Sequence, residues 1–440
     1  MKKHSLTIKE FGFIAKSENK EAKKDEKGNI YLPEKEFESI KEFVLKARED
    51  DEHGCEYLRP GFKKGLGEIL TAKNYVGIIE TKNHAIEILP KIYKNEKDDD
   101  NTREIFLKML KSLKDLPFRH FNTASLKSEK LHLFEIFVRM FLEELGKLVR
   151  SGIKFQYILK EENLNVVKGK IKWTEQIRRN LVHKERVFVE YDEYSINRPE
   201  NRIIKTTIEF LSKKNFSNNT SRLIRQYQFI FDEVPASLNV EKDLMLCKDN
   251  RLVKDYLNLI PWCRVFLKNE SFSTVKGKNE VFSLLFPMEK VFESYVADEI
   301  RKNIGDGYIV SKQDKKHHLI VAPEEKFGLK PDIVISKGEE KIILDAKWKV
   351  IESISESGKN NISQADLYQM FAYGKKYEAK ILFLIYPENE NFPSKREYYY
   401  EYDMGLCIFP WKFSANGNES NIGNLINIFQ QTSLTPVKPV

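Results

Sequence analysis

Residues 329–349 read LKPDIVISKGEEKIILDAKWK, with two apolar runs of strand length on either side of a polar turn at Gly338. Two such runs around a short turn predict a β-hairpin. Asp332 begins the first predicted strand, and Asp345 and Lys347 lie near the end of the second. Because side chains alternate along a strand, Asp345 and Lys347 point to the same face, and the hairpin brings Asp332 next to them. Two carboxylates and an ammonium group at one place are costly unless a ligand uses them. A divalent cation binds the carboxylates, and phosphate chemistry uses all three groups.

The alternative interpretation is an edge hairpin whose charges are solvated. Two features of the surrounding sequence favour a site instead. The apolar residues 342–344 directly precede Asp345, which predicts that this strand is buried. The elements around the hairpin also follow the order helix, strand, hairpin, helix, strand, which predicts an α/β sandwich around a mixed sheet. These elements are predicted at residues 287–302, 308–310, 363–377 and 380–386.

The character of the sequence changes twice along the chain, which divides it into three predicted regions. Residues 1–97 are β-rich, residues 98–279 are mixed and mainly helical, and residues 280–440 contain the hairpin. The predicted fold class is multidomain α+β, with an α/β domain in the last region. With 440 residues, the chain is long enough for two or three domains and a sizeable core.

The composition excludes several classes of protein. A hydrophobic content of 41% indicates a globular chain, and a net charge of +8 permits a polyanionic partner without demonstrating one. The four cysteines are scattered, with no Cys-x-x-Cys pair, so neither a structural zinc site nor a disulfide framework is expected. The N-terminus lacks an apolar core of signal-peptide length, and no apolar run approaches the length of a membrane span, so the protein is expected to be cytoplasmic, with no membrane partner.

A basic segment in the middle region contains Gly169, Lys170, Trp173 and Arg178. A glycine among basic residues and beside a tryptophan is suited to contact with phosphate groups. The same pattern also fits a solvated hairpin, and the residues alone leave both interpretations open.

Pro331-Asp332 followed by Asp345-Ala346-Lys347 resembles the motif of the PD-(D/E)XK nucleases. The chemistry of phosphodiester hydrolysis then assigns Asp332 and Asp345 as ligands of Mg²⁺, with Mn²⁺ as a possible substitute, and the backbone carbonyl of Ala346 as a further ligand. Lys347 would hold the attacking water or neutralise charge that develops on the phosphate.

Two helices are expected to complete the site. Glu289 and Glu293 are four residues apart on the first helix and share a face, so helix geometry does not choose between them as a third acid. The resemblance favours Glu293. On the second helix, Gln369 and Tyr373 resemble the Gln-x-x-x-Tyr motif of the RecB-like branch of these nucleases, which implies that they steady Lys347 and the substrate phosphate.

Taken together, these stretches resemble the McrC family, the nuclease subunits of McrBC-type modification-dependent restriction systems. This resemblance implies double-stranded DNA as substrate and a GTP-hydrolysing AAA+ ring as partner, which the chain docks into and stimulates. It also implies that the part of the chain ahead of the nuclease domain makes this docking contact. Within that part, the middle region is the candidate, with Lys170 and Arg178 as the contact residues. The chain contains no Gly-x-x-x-x-Gly-Lys-[Ser/Thr] phosphate loop of its own. The matching stretches are residues 75–79, 86–92, 169–171, 197–202, 292–293, 331–332, 345–347 and 366–374.

The expected function is therefore a Mg²⁺-dependent DNA endonuclease subunit of a GTP-driven restriction complex that acts in phage defence. A free-standing RecB-like repair nuclease and a regulatory subunit with an inactive nuclease fold are the alternatives. The intact set of Asp332, Asp345 and Lys347 argues against an inactive fold. The large region ahead of the hairpin favours a complex over a free-standing enzyme.

Overall fold

Residues from both ends of the chain build one compact unit, and the residues between them build a second. The terminal unit comprises residues 3–133 and 271–440, and the middle unit contains residues 134–270. The computed structural model describes residues 4–18, 21–50, 57–92, 99–113, 131–247, 255–267, 281–351, 362–400, 404–413, 421 and 423–427.

The helices and strands follow in three groups along the chain. The N-terminal segment contains β1 (His4–Lys9), β2 (Phe13–Lys16), β3 (Lys23–Lys24), β4 (Ile30–Leu32), α1 (Glu34–Asp50), β5 (Leu58–Lys63), β6 (Gly67–Ala72), β7 (Tyr75–Glu80), β8 (His84–Leu89) and α2 (Asp99–Leu110). The middle segment contains α3 (Leu133–Ser151), β9 (Gln156–Leu164), β10 (Lys170–Ile171), α4 (Trp173–Arg179), β11 (Val187–Ser195), α5 (Pro199–Ser212), α6 (Asn218–Ile230), α7 (Val240–Leu246) and α8 (Leu259–Leu267). The C-terminal segment contains β12 (Phe282–Pro287), α9 (Met288–Asn303), β13 (Ile309–Lys312), β14 (His318–Ile320), β15 (Lys326–Gly328), β16 (Ile333–Lys337), β17 (Glu340–Ala346), α10 (Gln364–Tyr377), β18 (Ile381–Pro387), β19 (Arg396–Tyr400) and β20 (Met404–Trp411).

A four-stranded sheet of the order β1-β8-β7-β12 joins the two ends of the chain. Strand β12 pairs antiparallel with β7, so that Gly77 lies opposite Leu285. Gly77 has a φ of +146°, and a Cβ atom at this position would lie 2.0 Å from the carbonyl oxygen of Leu284. Only glycine therefore permits this close approach of the two strands.

This sheet contains strands from two regions that the sequence predicted to be separate domains. Residues 1–97 and 280–440 were expected as separate domains, but β7 and β12 lie in one sheet of the terminal unit. The physical reason is that β7 is buried almost throughout and needs a neighbour on each side. Its second neighbour lies about 200 residues further along the chain, beyond the reach of any local pattern.

The six-stranded sheet of the terminal unit has the order β13-β16-β17-β18-β20-β19. Strands β16 and β17 form the predicted hairpin around Gly338, with Ile333 opposite Leu344. Strand β17 pairs parallel with β18, and β18 pairs parallel with β20, which makes the sheet mixed as predicted. Helix α10 packs through Met370 and Tyr377 on this sheet. The predicted helices and strands around the hairpin are present with bounds shifted by one or two residues.

The middle unit combines a three-stranded sheet of the order β10-β11-β9 with helices. Within this unit, residues 197–202 connect neighbouring segments through hydrogen bonds of Asn201. The side chain of Asn201 is fully buried, donates to the carbonyls of Lys154 and Ile196, and accepts from the hydroxyl of Tyr256. This network ties the start of α5 to two neighbouring segments.

In the described part of the chain, no helix has both the length and the apolar character needed to cross a membrane.

Candidate active site

The candidate site lies where the β16–β17 hairpin opens. The register that pairs Ile333 with Leu344 puts Asp332 opposite Asp345, one step further along the two strands. The backbone N–H of Ala346 donates a hydrogen bond of 2.8 Å to Oδ2 of Asp332. The hairpin thus brings together the two carboxyl groups that the sequence separates by 13 positions, as the predicted strands required.

Lys347 follows directly after β17 and lies beside Asp345. The two atoms Nζ of Lys347 and Oδ2 of Asp345 are 2.6 Å apart, in agreement with the prediction that both side chains share a face. The backbone N–H of Lys347 donates to the carbonyl of Ile385, which fixes this end of the chain against β18. The ammonium group is therefore placed by two neighbouring strands rather than by a loose loop.

Helix α10 supplies the predicted Gln-x-x-x-Tyr pair. Oε1 of Gln369 lies 3.4 Å from Nζ of Lys347, and Nε2 of Gln369 donates a hydrogen bond of 2.6 Å to the hydroxyl of Tyr373. The Gln369 amide thus connects the ammonium group of Lys347 to the Tyr373 hydroxyl, which positions Lys347 from the side of the helix.

Asp366 is a member of this cluster that sequence reasoning did not assign to the site. Its carboxylate accepts a bond of 3.1 Å from Nζ of Lys349 and lies 4.0 Å from Nζ of Lys347. The hydroxyl of Tyr386 also donates to it, at 3.5 Å. Its position three residues before Gln369, on the same face of a helix, is the sequence signal that could have found it.

The structure separates the two candidates for a third acid. Glu293 is partly buried on α9, and burial together with the charge of Asp345 raises its pKa to about 7. Glu289 is exposed, and its Oε1 accepts a hydrogen bond of 3.3 Å from Nδ2 of Asn74. Glu293 is thus the acid that shares the electrostatic environment of the aspartates.

The carboxyl groups are poorly solvated and repel one another. Burial and the charges of Asp345 and Glu293 raise the pKa of Asp332 to about 8. Burial also raises the pKa of Asp345, which is 1% exposed, although Lys347 acts in the opposite direction. Burial lowers the pKa of Lys347, but the charge and contact of Asp345 outweigh this effect, so its pKa is raised. One ammonium group does not balance three such acids, and additional positive charge would stabilise their ionised forms.

The donor set fits a hard divalent cation. It consists of carboxylate oxygens, and the buried Oδ2 of Asp345 contacts the ammonium group of Lys347 at 2.6 Å. Within those same residues, no three His, Cys, Asp or Glu side chains converge closely enough to enclose a metal ion by themselves. Mg²⁺ commonly retains several waters and takes few carboxylates, so an open arrangement of this kind is compatible with it.

Lys170 and Arg178, the predicted partner contacts, belong to the middle unit. Lys170 lies on β10 opposite Glu190, and Arg178 lies on α4 with Glu175 at 3.6 Å. Both side chains are exposed. Helix α4, where the sequence indicated only a basic run, buries none of its residues and presents exposed Trp173. This region therefore offers a charged and aromatic surface rather than a buried site.

Known structures and families provide an independent comparison. One similar structure is a refined half-complex from a tetradecameric assembly of Thermococcus gammatolerans McrB AAA+ hexamers with bound McrC, which is 18% identical with a TM-score of 0.69, and the match covers 97% of this chain and 100% of that chain. A second is the cryo-EM structure of the Thermococcus gammatolerans McrBC complex, 18% identical with a TM-score of 0.50, where the match covers 69% of this chain and 88% of that chain.

At this level of identity the likeness shows the fold. No curated protein matches the sequence. A family model described as the McrBC 5-methylcytosine restriction system component matches residues 70–387, which is more than half of the chain. The chain therefore belongs to the McrBC family of restriction system components.

Proposed function

We propose that this chain is the McrC-like nuclease subunit of a GTP-driven restriction complex, with a PD-(D/E)XK nuclease fold in its C-terminal segment. The observation that carries the proposal is the meeting of Asp332, Asp345 and Lys347 at the open end of one hairpin, with Glu293 in the same electrostatic environment. Structural charges are rarely buried at this density without a ligand.

Asp332, Asp345, Glu293 and the backbone carbonyl of Ala346 would hold Mg²⁺, with Mn²⁺ as a substitute. When bound, this cation supplies Lewis-acid polarisation of the phosphate and a water of lowered pKa. The carboxylates of this chain provide negative charge in a poorly solvated place, where their attraction for a cation is stronger than at an exposed surface.

Lys347 carries the positive charge closest to the acids. Its ammonium group donates to Asp345 and faces Gln369, so it is held in place for a third interaction with the attacking water or with a phosphate oxygen. Gln369 and Tyr373 limit the rotamers of Lys347 from the helix side. Asp366 keeps additional negative charge next to Lys347, which favours the charged form of its ammonium group.

An AAA+ GTPase ring is the proposed partner. One of the similar structures contains McrB AAA+ hexamers with bound McrC, and the other is an McrBC complex. This chain lacks a phosphate loop of the Gly-x-x-x-x-Gly-Lys-[Ser/Thr] type, which fits the subunit that does not hydrolyse GTP. The exposed side chains of Lys170 and Arg178 in the middle unit are the proposed contact, and the complex would act on double-stranded DNA in the cytoplasm.

A cleavage assay tests the proposal. Duplex DNA that carries 5-methylcytosine is incubated with the full chain, its AAA+ partner, GTP and Mg²⁺, and each component is omitted in turn. We expect double-strand cleavage that requires Mg²⁺ and is greatest with the complete mixture. Lys347→Ala should lose this cleavage, whereas Lys341→Ala, at the other end of the same strand and on the same face, should retain it. Cleavage by the free chain that neither the partner nor GTP increases would favour a free-standing nuclease instead.

A further inference from the structure

The N-terminal segment of the terminal unit contacts two elements that carry residues of the candidate site, helix α9 and the end of β17. On one side, the backbone N–H of Met288 donates a hydrogen bond of 2.8 Å to the carbonyl of Asn74, which fixes the first turn of α9. The Nδ2 atom of Asn74 also donates to Glu289 at 3.3 Å. This helix carries Glu293 one turn after Glu289, so its start is fixed by the β6–β7 connection.

On the other side, Glu10 holds the residue that follows Lys347. Both carboxylate oxygens of Glu10 lie 3.1 Å from Nε1 of Trp348, which donates to them, and Oε2 also accepts from the backbone N–H of Lys91 at 3.0 Å. Glu10 is 2% exposed, and burial raises its pKa to about 8, although these two hydrogen bonds act in the opposite direction. A buried carboxyl is costly, and its placement between two N–H donors fixes a unique geometry.

Trp348 connects this bond to α9. Its indole ring packs edge-on against Phe292, with ring centroids 5.3 Å apart, and Phe292 directly precedes Glu293. The same indole directly follows Lys347 in the chain. Trp348 is therefore next to Lys347 in the chain and in contact with the residue that precedes Glu293.

We infer that Glu10 is a positioning residue of the nuclease site, which acts through Trp348 to hold Lys347 and Glu293 in register. Glu10 does not touch the acids. It fixes the indole in one orientation, and the indole in turn limits the position of the end of β17 and of α9. The segment around Glu10 thereby helps to position the nuclease site, although its sequence matches no motif.

The inference rests on the proposed nuclease function, and the experiment separates the two. The full-length Glu10→Leu variant removes the acceptor but keeps the approximate volume. We expect its affinity for Mn²⁺, measured by calorimetry, and its kcat for DNA cleavage with the AAA+ partner, GTP and Mg²⁺ each to fall about ten-fold or more, as for groups that support metal ligands in other enzymes. KM for DNA should stay unchanged, because no DNA contact is removed.

Three variants guard against a merely structural effect. Glu10→Gln retains one oxygen acceptor for the indole and should recover most of the activity. Trp348→Phe removes the donor and keeps a ring, so it should lower Mn²⁺ affinity, and its combination with Glu10→Leu should add little. Glu36→Leu removes another buried carboxylate of the same segment, which is bonded to Thr81 and His84, and should lower the melting temperature without changing Mn²⁺ affinity.

The outcomes are distinguishable. If the wild-type chain neither binds Mn²⁺ nor cuts DNA in the complete complex, the proposed function itself fails. If the wild-type chain does both, and Glu10→Leu and Trp348→Phe bind Mn²⁺ and cut DNA equally well, the positioning assignment is overturned while the nuclease assignment stands.

Discussion

Two antiparallel strand pairs of this chain, β16–β17 and β9–β11, place their charged residues in opposite surroundings. At the open end of the β16–β17 hairpin, Asp345 is buried, and the pKa values of the acids are raised because water is excluded and like charges are near. Along the antiparallel strand pair β9–β11, charged side chains pair with one another at the surface, as Lys160 does with Glu193 at 2.5 Å. Buried, unbalanced charge indicates a ligand, whereas exposed, paired charge is compatible with solvent or with a partner surface.

The largest expected effect comes from removing a buried acid. Asp345→Ala should lower the rate of DNA cleavage by more than about 1,000-fold, because it removes both a proposed cation ligand and the partner of Lys347. Without metal, its melting temperature should equal or exceed that of the wild type, since a destabilising buried charge is removed. Cleavage rates and thermal melts with and without Mg²⁺ measure both effects. Asp306→Ala, at an exposed turn of the same unit, serves as the control, and full cleavage by Asp345→Ala would contradict the assignment.

The second effect should separate the candidate site from the basic segment of the middle unit by function. Asp332→Ala should lose cleavage and still stimulate GTP hydrolysis by the AAA+ partner. Lys170→Glu combined with Arg178→Glu should weaken GTPase stimulation, because reversing two charges at a polar contact opposes association. GTPase rates measured at several partner concentrations give the loss of affinity.

Arg222→Glu with Arg225→Glu, two exposed charges on α6 of the same unit, is the matched control for this reversal. If the Lys170/Arg178 variant stimulates GTP hydrolysis normally, this segment is not the partner contact. A lower DNA affinity with a smaller salt dependence would instead assign the segment to DNA phosphates.

A third prediction distinguishes two acids on one helix. Glu293→Gln should lower cleavage roughly 100-fold, because Glu293 shares the environment of Asp345, whereas Glu289→Gln should change it less than about three-fold. Both changes keep the shape of the side chain and remove only the charge. Initial rates at saturating Mg²⁺ and at a series of lower concentrations measure the difference. Near-wild-type rates for both variants would remove Glu293 from the ligand set.

Local patterns in the sequence predicted much of the six-stranded sheet and little of its surroundings. The hairpin, α9, α10 and β18 follow from alternation, apolar spacing and turn residues, and the same rules placed Asp345 and Lys347 on one face. These rules concern neighbours two to four positions apart. They located the acids because the hairpin that joins them is short.

Contacts over long sequence separations were not predictable in this way. The pairing of β7 with β12 depends on Gly77. The need for glycine at this position becomes evident only once Leu284 is known to lie against it. The bond between Glu10 and Trp348 spans 338 positions. Asp366 was missed for a different reason, because a lone aspartate in the first turn of a helix is equally well explained as a favourable charge at the helix N-terminus.

The smallest effect is expected at the surface ion pair between strands β9 and β11. Lys160→Ala, Glu193→Ala and the double variant should each melt within about 1 °C of the wild type, because an exposed ion pair gains little over solvated charges and restricts two long side chains. The melts should be recorded at low and at high salt. Because salt screens exposed charges, the differences in melting temperature between the single and double variants should be smaller still at high salt. The comparison with Asp345→Ala is then direct, since each strand pair loses one carboxylate and one ion pair with lysine. A large drop in melting temperature for Glu193→Ala would mean that the β9–β11 strand pair depends on its exposed charges for stability. The proposed contrast between strands that hold buried charges for a ligand and strands that carry paired charges at a surface would then be wrong.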